Sequence, residues 1–368
     1  MPARLKFAVG GGGTGGHVVP ALSVCEAILQ LRSDAEVIYV GSRNSIEERM
    51  AKERGYRFLP VRIAKLRRGN LLQNLALPFI AALALIQASY HLIVSGAKFV
   101  VGTGGFSAWP ICAAAKMFGR TYFLQEQNAF PGLVTRMLAG GARRIYLGYD
   151  EARSRLSVPD DKLVFTGNPI PGMVKSEDQL TARSGLGIDA DRQTVMVTGG
   201  SGGALSINQA IDSIKEDLLK RGFNLIWQTG KHWESDYSIP DELKSRLLIS
   251  RFFDTARMAA AYQASDLVIA RSGAMTLAEL AMMGLPAILI PYPYAAENHQ
   301  EFNARAVEKA GGALVVLDAE LSPDVLLERI SEALDAEKHK SMSGGMKSLA
   351  KDSAALNIAE DILARMRC

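Results

Sequence analysis

The residues best suited to chemistry are a histidine behind a run of glycines and a glutamate inside a short apolar unit. Gly10–Gly16 reads GGGGTGG and is followed by His17. Glycines lack Cβ, so their backbone N–H groups can approach a phosphate, and a helix start adds positive potential. Gly102, Thr103, Gly104 and Gly105 form a second loop of the same kind, and two such loops after strands of one sheet could cradle a diphosphate. His17 beside them is a candidate general base, since a helix N-terminus disfavours its protonated form. The same place also suits a histidine that only hydrogen-bonds a phosphate. Glu126-Gln127-Asn128 follows an apolar stretch. Glu126 is a second candidate base, or part of a capping set for the helix that begins after Pro131.

A third constellation runs from Arg271 to Ala304. A strand at Asp266–Ala270 delivers Arg271-Ser272-Gly273-Ala274. Thr276 is placed to cap the next helix, with Glu279 near its first turn and Gly284 at its end. An apolar strand over Ala287–Pro291 follows. A glutamate at the carboxyl edge of a parallel sheet can accept both hydroxyls of a ribose, and amides at a helix start suit a phosphate. Gln300 and Asn303, a short loop away, could bind a sugar. The pattern is that of a nucleotide-sugar site.

The elements that must position these residues alternate. Strands are expected at Leu5–Val9, Glu36–Val40, Arg57–Val61, Phe99–Val101, Thr121–Leu124 and Arg144–Leu147, with helices between them over Pro20–Leu31, Ser45–Arg54, Leu71–Tyr90 and Trp109–Phe118. This βαβα order predicts a doubly wound parallel sheet. Gly167-Asn168-Pro169 breaks the chain, and the pattern restarts. Thr194–Val197 leads to a third glycine loop, Gly199–Ala204, and a helix from Leu205. Further strands follow at Leu225–Gln228, Leu247–Ser250, Leu267–Ala270 and Ala287–Ile290. The expected class is therefore α/β with two Rossmann-like domains, 1–168 and 169–368, a hinge near Asn168–Val174 and a cleft between the halves. The amphipathic tail Leu349–Arg367 could pack back across the boundary.

Several classes are disfavoured. The first loop satisfies GxGxxG, but a dinucleotide site needs an acid at the end of the second strand. There the chain reads Gly41-Ser42-Arg43, and Glu36 is at the wrong end. The histidines lack metal-ligand spacing and no DxD pair is present, so no metal and no cofactor are expected. Cys25, Cys112 and Cys368 are scattered, which implies a reducing compartment. The N-terminus lacks the pattern of a signal peptide. No basic stretch is interleaved with stacking aromatics, so nucleic acid is not an expected partner.

Charge is uneven. Residues 1–168 carry 21 Lys and Arg against 11 Asp and Glu, whereas residues 169–368 carry 21 against 27. Arg62, Lys65, Arg67 and Arg68 precede the apolar run Leu71–Ile86, which reads as too short and too interrupted for a bilayer span. A basic cluster beside an apolar helix suits a membrane surface, and a core helix gives the same pattern.

The ordered motifs GGTGGH (Gly12–His17), GTGGF (Gly102–Phe106), EQN with PG (Glu126–Gly132), GNP (Gly167–Pro169), GGSGGA (Gly199–Ala204), RSGAMTLAE (Arg271–Glu279) and HQ-x-x-NA (His299–Ala304) cover nearly the whole chain. On them the chain resembles the MurG family, bacterial transferases that add N-acetylglucosamine to undecaprenyl-diphosphate-linked muramyl pentapeptide. The resemblance implies a GT-B fold and an inverting transfer from UDP-N-acetylglucosamine to the C4 hydroxyl of the lipid-linked muramyl peptide. The N-terminal half would be the acceptor and membrane-docking domain, peripheral on the anionic cytoplasmic face of the inner membrane.

For the donor the resemblance implies Ser201 at the diphosphate, Phe253 against uracil, Ala274, Met275, Thr276, Leu277, Ala278 and Glu279 around ribose and phosphate, and His299 and Gln300 at the sugar. Thr14, Gly15, Gly16 and Asn128 would line the sugar side, while Gly13, Gly102, Thr103, Gly104 and Gly105 would meet the acceptor diphosphate. His17 or Glu126 would be the base. The chain departs from the family pattern with Pro171 after GNP, Phe106 in the second loop, Gly202 in the third and extra residues between Asp254 and Met258. Another GT-B glycolipid glycosyltransferase, a nucleotide-sugar 2-epimerase and a non-catalytic sugar-nucleotide-binding protein are the alternatives.

Overall fold

The structure, a computed structural model, describes residues 4–63, 76–171, 178–234 and 238–366. The chain divides into two units. One spans Met1–Pro171 with Lys351–Cys368, the other Gly172–Ala350.

In the first unit β1 (Lys6–Gly10), α1 (Gly15–Leu31), β2 (Glu36–Ser42), α2 (Ile46–Glu53), β3 (Arg57–Val61), α3 (Leu77–Ser95), β4 (Phe99–Gly102), α4 (Trp109–Met117), β5 (Thr121–Glu126), α5 (Leu133–Leu138), β6 (Arg144–Leu147) and β7 (Leu163–Phe165) build a sheet of order β3-β2-β1-β4-β5-β6-β7. Every pairing is parallel. Helices cover both faces, so the strands are apolar nearly throughout. Ser45 caps α2 by accepting the Glu48 N–H at 3.2 Å. The unit's order reverses at β1/β4, and in such sheets ligands bind beyond the carboxyl ends of the strands at that reversal.

In the second unit α6 (Gln179–Gly185), β8 (Thr194–Thr198), α7 (Leu205–Lys220), β9 (Asn224–Gln228), β10 (Leu247–Ser250), α8 (Thr255–Ala264), β11 (Leu267–Ala270), α9 (Ala274–Met283), β12 (Ala287–Leu289), α10 (His299–Lys309), β13 (Ala313–Val315), α11 (Pro323–Leu334) and α12 (Ala336–Ser348) give a parallel sheet of order β10-β9-β8-β11-β12-β13, reversing at β8/β11. The last helix, α13 (Ala354–Ala364), belongs to the first unit. Its Ile358, Ala359 and Ile362 share one core with Phe7, Val9 and Val18, and the Tyr146 hydroxyl donates to Asp361 at 2.9 Å.

Four expectations need correcting. β7 and β13, three residues each, go unmarked in the sequence because so short a run carries no periodicity. Helix α1 starts at Gly15 rather than Pro20, and Pro20 lies inside it. The cap of α9 is Gly273, so Thr276 sits in the first turn and Glu279 in the second. Helix α3 ends at Ser95, not Tyr90, and is long and apolar enough to cross a membrane by length and composition. Pro78 does not interrupt it, because at the first turn proline removes no helical bond. Lys65, Arg67, Arg68, the start of the apolar run at Leu71 and Val174 of the expected hinge lie outside the described residues.

One face of α3, with Ala84, Ala88 and Leu92, is buried in the unit's core. The opposite face carries Phe79 (79 % exposed), Ile86 (66 %) and Tyr90 (62 %), with Ile93 and Val94 beyond them. A helix wholly inside the core would bury these side chains.

Candidate active site

At the β1/β4 reversal the His17 ring lies against the second glycine loop. A Cβ on Gly104 would come within 3.0 Å of its Nδ1, and one on Gly105 within 3.0 Å of its Cδ2, and both glycines have positive φ. The glycines are thus required twice over, by backbone conformation and by the imidazole packed on them. His17 Nδ1 faces two acceptors, the Thr103 carbonyl at 3.0 Å and Gln127 Oε1 at 2.8 Å. The Gln127 amide nitrogen is itself a donor, to Thr103 O at 2.7 Å and Gln125 O at 3.1 Å, which fixes Oε1 as the acceptor. Nδ1 therefore carries the proton, and Nε2 of the neutral ring keeps its lone pair.

The support continues inward. Gln127 also donates to Gln125 Oε1, Gln125 donates to Asn168 Oδ1 at 3.1 Å, and Asn168 donates back to Gln127 O at 3.0 Å. The asparagine of the GNP motif thus braces the glutamine that orients His17. Buried networks of this kind stay rigid when every member is satisfied.

Glu126 is buried and fully engaged. Its Oε1 accepts from the Asn128 backbone N–H at 3.1 Å and from Asn128 Nδ2 at 3.2 Å, and Oε2 accepts from Gly132 N at 3.0 Å. It clamps the turn that starts α5. As a candidate base it is displaced by this geometry, because its oxygens already serve the loop.

The expected diphosphate cradle also narrows. The Gly13 N–H turns inward to Glu47 Oε2 at 3.3 Å. Gly102 is within β4, paired with Gly10 and Leu124. Thr103 is buried, its N–H donating to Gly10 O at 2.9 Å and its hydroxyl to His17 O at 2.7 Å. The amides left for an anion are those of Thr14, Gly15 and Gly16 at the start of α1, with Gly104 and Gly105. Sequence reasoning missed Glu47. It is fully buried, accepts from Gly13 N, Ser42 N at 3.3 Å and Ser107 Oγ at 2.9 Å, and so ties both glycine loops to β2. In the sequence it looks like an ordinary acid in a helix's first turn, and nothing local marks it.

At the β8/β11 reversal the third glycine loop turns on Gly200 and Gly203, both with positive φ. Gly203 N donates to Gly200 O at 3.0 Å and Gly200 N to Thr198 Oγ1 at 3.1 Å, leaving Ser201 exposed ahead of α7. Arg271 does not face a ligand. It binds Ile290 O and Pro291 O at 3.1 Å, Ser206 Oγ at 3.0 Å and Asp318 at 2.5 Å, lacing the carboxyl edge together. Ala274, Met275, Thr276, Leu277 and Ala278 form the opening turns of α9, and Ala274 and Leu277 are buried.

Among the described residues Glu279 has one side-chain partner, the Tyr262 hydroxyl, which donates to Oε2 at 3.1 Å. Burial pushes its carboxyl up to about 7, against the pull of that hydrogen bond. A carboxylate so poorly compensated is suited to two further donors.

Gln300 Oε1 accepts from Tyr292 N at 2.9 Å, which orients the amide. His299 Nδ1 pairs with Ala296 O at 2.7 Å. Asn303 is fully buried and donates to Ser272 O at 3.3 Å, so it supports the loop instead of meeting a sugar. Phe253 is also corrected. It is 2 % exposed with Arg257 over its ring at 5.5 Å, and the open ring of the pair is Phe252, 54 % exposed. Among the described residues no group of three or more His, Cys, Asp and Glu gathers as metal ligands do.

Two parallel-sheet units with glycine loops at their reversal points are the architecture of GT-B glycosyltransferases. Residues 7–147 match the glycosyltransferase family 28 N-terminal domain and residues 194–362 the glycosyltransferase family 28 C-terminal domain. The chain belongs to this family and is a hexosyltransferase. It is 37 % identical to a Salinibacter ruber protein over 96 % of this chain and 95 % of the relative, and 36 % identical to a Desulfitobacterium hafniense (strain Y51) protein over 95 % and 96 %. Both are named UDP-N-acetylglucosamine–N-acetylmuramyl-(pentapeptide) pyrophosphoryl-undecaprenol N-acetylglucosamine transferase. The solved structure of Acinetobacter baumannii MurG is similar in fold, with a TM-score of 0.75 at 23 % identity, covering 98 % of this chain and 99 % of that one.

Proposed function

We propose that this chain transfers N-acetylglucosamine from UDP-N-acetylglucosamine to the C4 hydroxyl of undecaprenyl-diphosphate-linked N-acetylmuramyl pentapeptide, with inversion at the anomeric carbon. Identity above a third to proteins of that name, across nearly the full length of both chains, carries the substrate assignment. The lone pair of His17 Nε2 carries the assignment of the base. Nε2 takes the C4 proton as the oxygen attacks, and the resulting imidazolium keeps its Nδ1–H on Thr103 O and Gln127 Oε1. The acceptor diphosphate binds the amides of Thr14–Gly16 and Gly104–Gly105. The donor binds the second unit, with ribose hydroxyls on Glu279, diphosphate at Ser201 and the start of α7, uracil along Phe252, and sugar at Gln300 and His299. Asn128 contributes on the sugar side. The amides before Leu205 offset charge growing on the departing UDP.

The test is direct. Purified protein given UDP-N-acetylglucosamine and the lipid-linked muramyl peptide is expected to release one UDP per disaccharide formed. Conversion of the donor to its 2-epimer, or binding of both substrates without turnover, would overturn the reading.

The same reading puts the enzyme on the cytoplasmic face of the inner membrane as a peripheral protein. The apolar outer face of α3 and the surplus of cations in residues 1–168 support it. A Phe79→Ser/Ile86→Ser variant is expected to lose flotation with anionic vesicles, since each large apolar side chain withdrawn from water is worth about 1.5–3 kcal/mol. Undiminished flotation would remove α3 as the docking element.

A further inference from the structure

The first unit holds a second candidate site, at the opposite edge of its sheet from His17. A cavity of about 530 Å³ opens beside the amino ends of β5, β6 and β7. Lys116, Arg120, Arg143, Arg144, Lys162 and Arg365 line it, with Asp161 as the one carboxylate. Five places in the chain therefore deliver cations to one concavity: the end of α4, the turns before β5, β6 and β7, and the residue that follows α13.

Part of this charge is compensated. Asp361 takes Arg365 Nε at 3.0 Å, lies 3.7 Å from Arg144 Nε and accepts from Tyr146. Lys162 donates to Gly140 O at 3.0 Å. The side chains of Lys116, Arg120 and Arg143 make no hydrogen bond or ion pair among the described residues. Arg144 Nε is buried without a hydrogen-bond acceptor. Cations gathered in a concavity repel one another, and a low-dielectric wall strengthens the field they project. Arg guanidinium groups match phosphate oxygens in pairs, and lysine adds a point charge.

We propose that this cavity binds a phosphate-bearing anion of at least two negative charges, independently of the transfer site. Two sources share that chemistry: a soluble phosphate compound, or a phospholipid headgroup. Exposed Met117 and Phe118 stand between the lining residues Lys116 and Gly119 and would accommodate an attached apolar chain.

The experiment compares the full-length protein with an Arg120→Gln/Arg143→Gln variant, both shown to bind UDP-N-acetylglucosamine equally. Inorganic pyrophosphate is titrated calorimetrically with UDP saturating. Flotation is measured with vesicles of phosphatidylcholine alone and of phosphatidylcholine mixed with phosphatidylglycerol. Loss of two charge-assisted contacts is expected to weaken one probe by about tenfold or more. Weakening of pyrophosphate identifies a soluble anion, and weakening confined to the mixed vesicles identifies a headgroup. Asp161→Asn, which removes the one carboxylate of the lining, is expected to tighten the same probe severalfold. Equal binding of both probes by wild type and the double variant, or no binding of either by wild type, overturns the proposal.

Discussion

The two reversal points are built on opposite plans. At β1/β4 the polar side chains answer one another. Gln127, Gln125 and Asn168 are bonded among themselves, Gln127 reaches the second glycine loop and Glu47 the first, and His17 is held by one nitrogen. At β8/β11 the glycine loop closes on a backbone bond from Gly203 N to Gly200 O, Ser201 stands exposed, and Glu279 is half-buried with a single hydroxyl partner among the described residues. The first plan presents one nitrogen in one protonation state. The second leaves demands that a ligand must satisfy. Proton transfer needs preorganisation, whereas donor recognition can draw its strength from groups left unsatisfied before binding.

The sharpest break in this comparison is His17→Ala. General-base removal is expected to cut kcat by about 10²–10⁴ while leaving affinity for UDP-N-acetylglucosamine unchanged, measured by steady-state kinetics and donor titration. Glu126→Gln is the control. It loosens the clamp on Asn128 and Gly132 and should cost far less in kcat than His17→Ala. The opposite ranking would return the base role to Glu126.

Glu279 tests the other plan, and the sign of its pH dependence is fixed by burial. Its folded carboxyl titrates at about 7, above the ordinary 4.5. The folded state therefore holds a proton that the unfolded chain has released, and stability present below pH 4.5 is lost as pH rises to about 7. Relative to Glu279→Gln, wild type should lose on the order of 3 kcal/mol across that window. Ribose hydroxyls donate to the ionised form, so donor affinity should rise with pH through 7 and release a proton below it. Glu279→Gln should abolish that rise and weaken donor binding by roughly ten- to a hundredfold, as expected for lost hydrogen bonds to a charged group. UDP-N-acetylglucosamine is the probe for this titration. A flat pH profile in wild type would separate Glu279 from the ribose.

The sequence made the alternation of strands and helices, the three glycine loops and His17 legible, because glycine runs and apolar periodicity are local signals. It did not show which amides remain free. Gly13, Gly102 and Thr103 look identical in type to Gly104 and Gly105, yet their N–H groups are spent on Glu47, on the β4 ladder and on Gly10 O. Those partners come from β1, β4 and α2, and only tertiary packing brings them together. Glu47 and Asn168 escaped for the same reason. Phe253 was misread because adjacent aromatics at a strand end give no clue to which one turns inward.

The smallest effect expected is the most informative about the first plan. Gln127 meets His17 at Nδ1, through Oε1 at 2.8 Å, and is buried. Gln127→Met keeps the volume and removes the acceptor, leaving the Thr103 carbonyl to hold the Nδ1–H alone. The imidazolium formed during transfer loses one of two hydrogen bonds, so kcat should fall by about tenfold, the value of one such bond to a charged group. KM for the donor should not move. The acid limb of the kcat profile should shift to lower pH, because a carbonyl dipole aimed at Nδ1–H favours the cation over the neutral ring and its removal takes that preference away. A purely structural role for Gln127 would lower kcat without moving that limb.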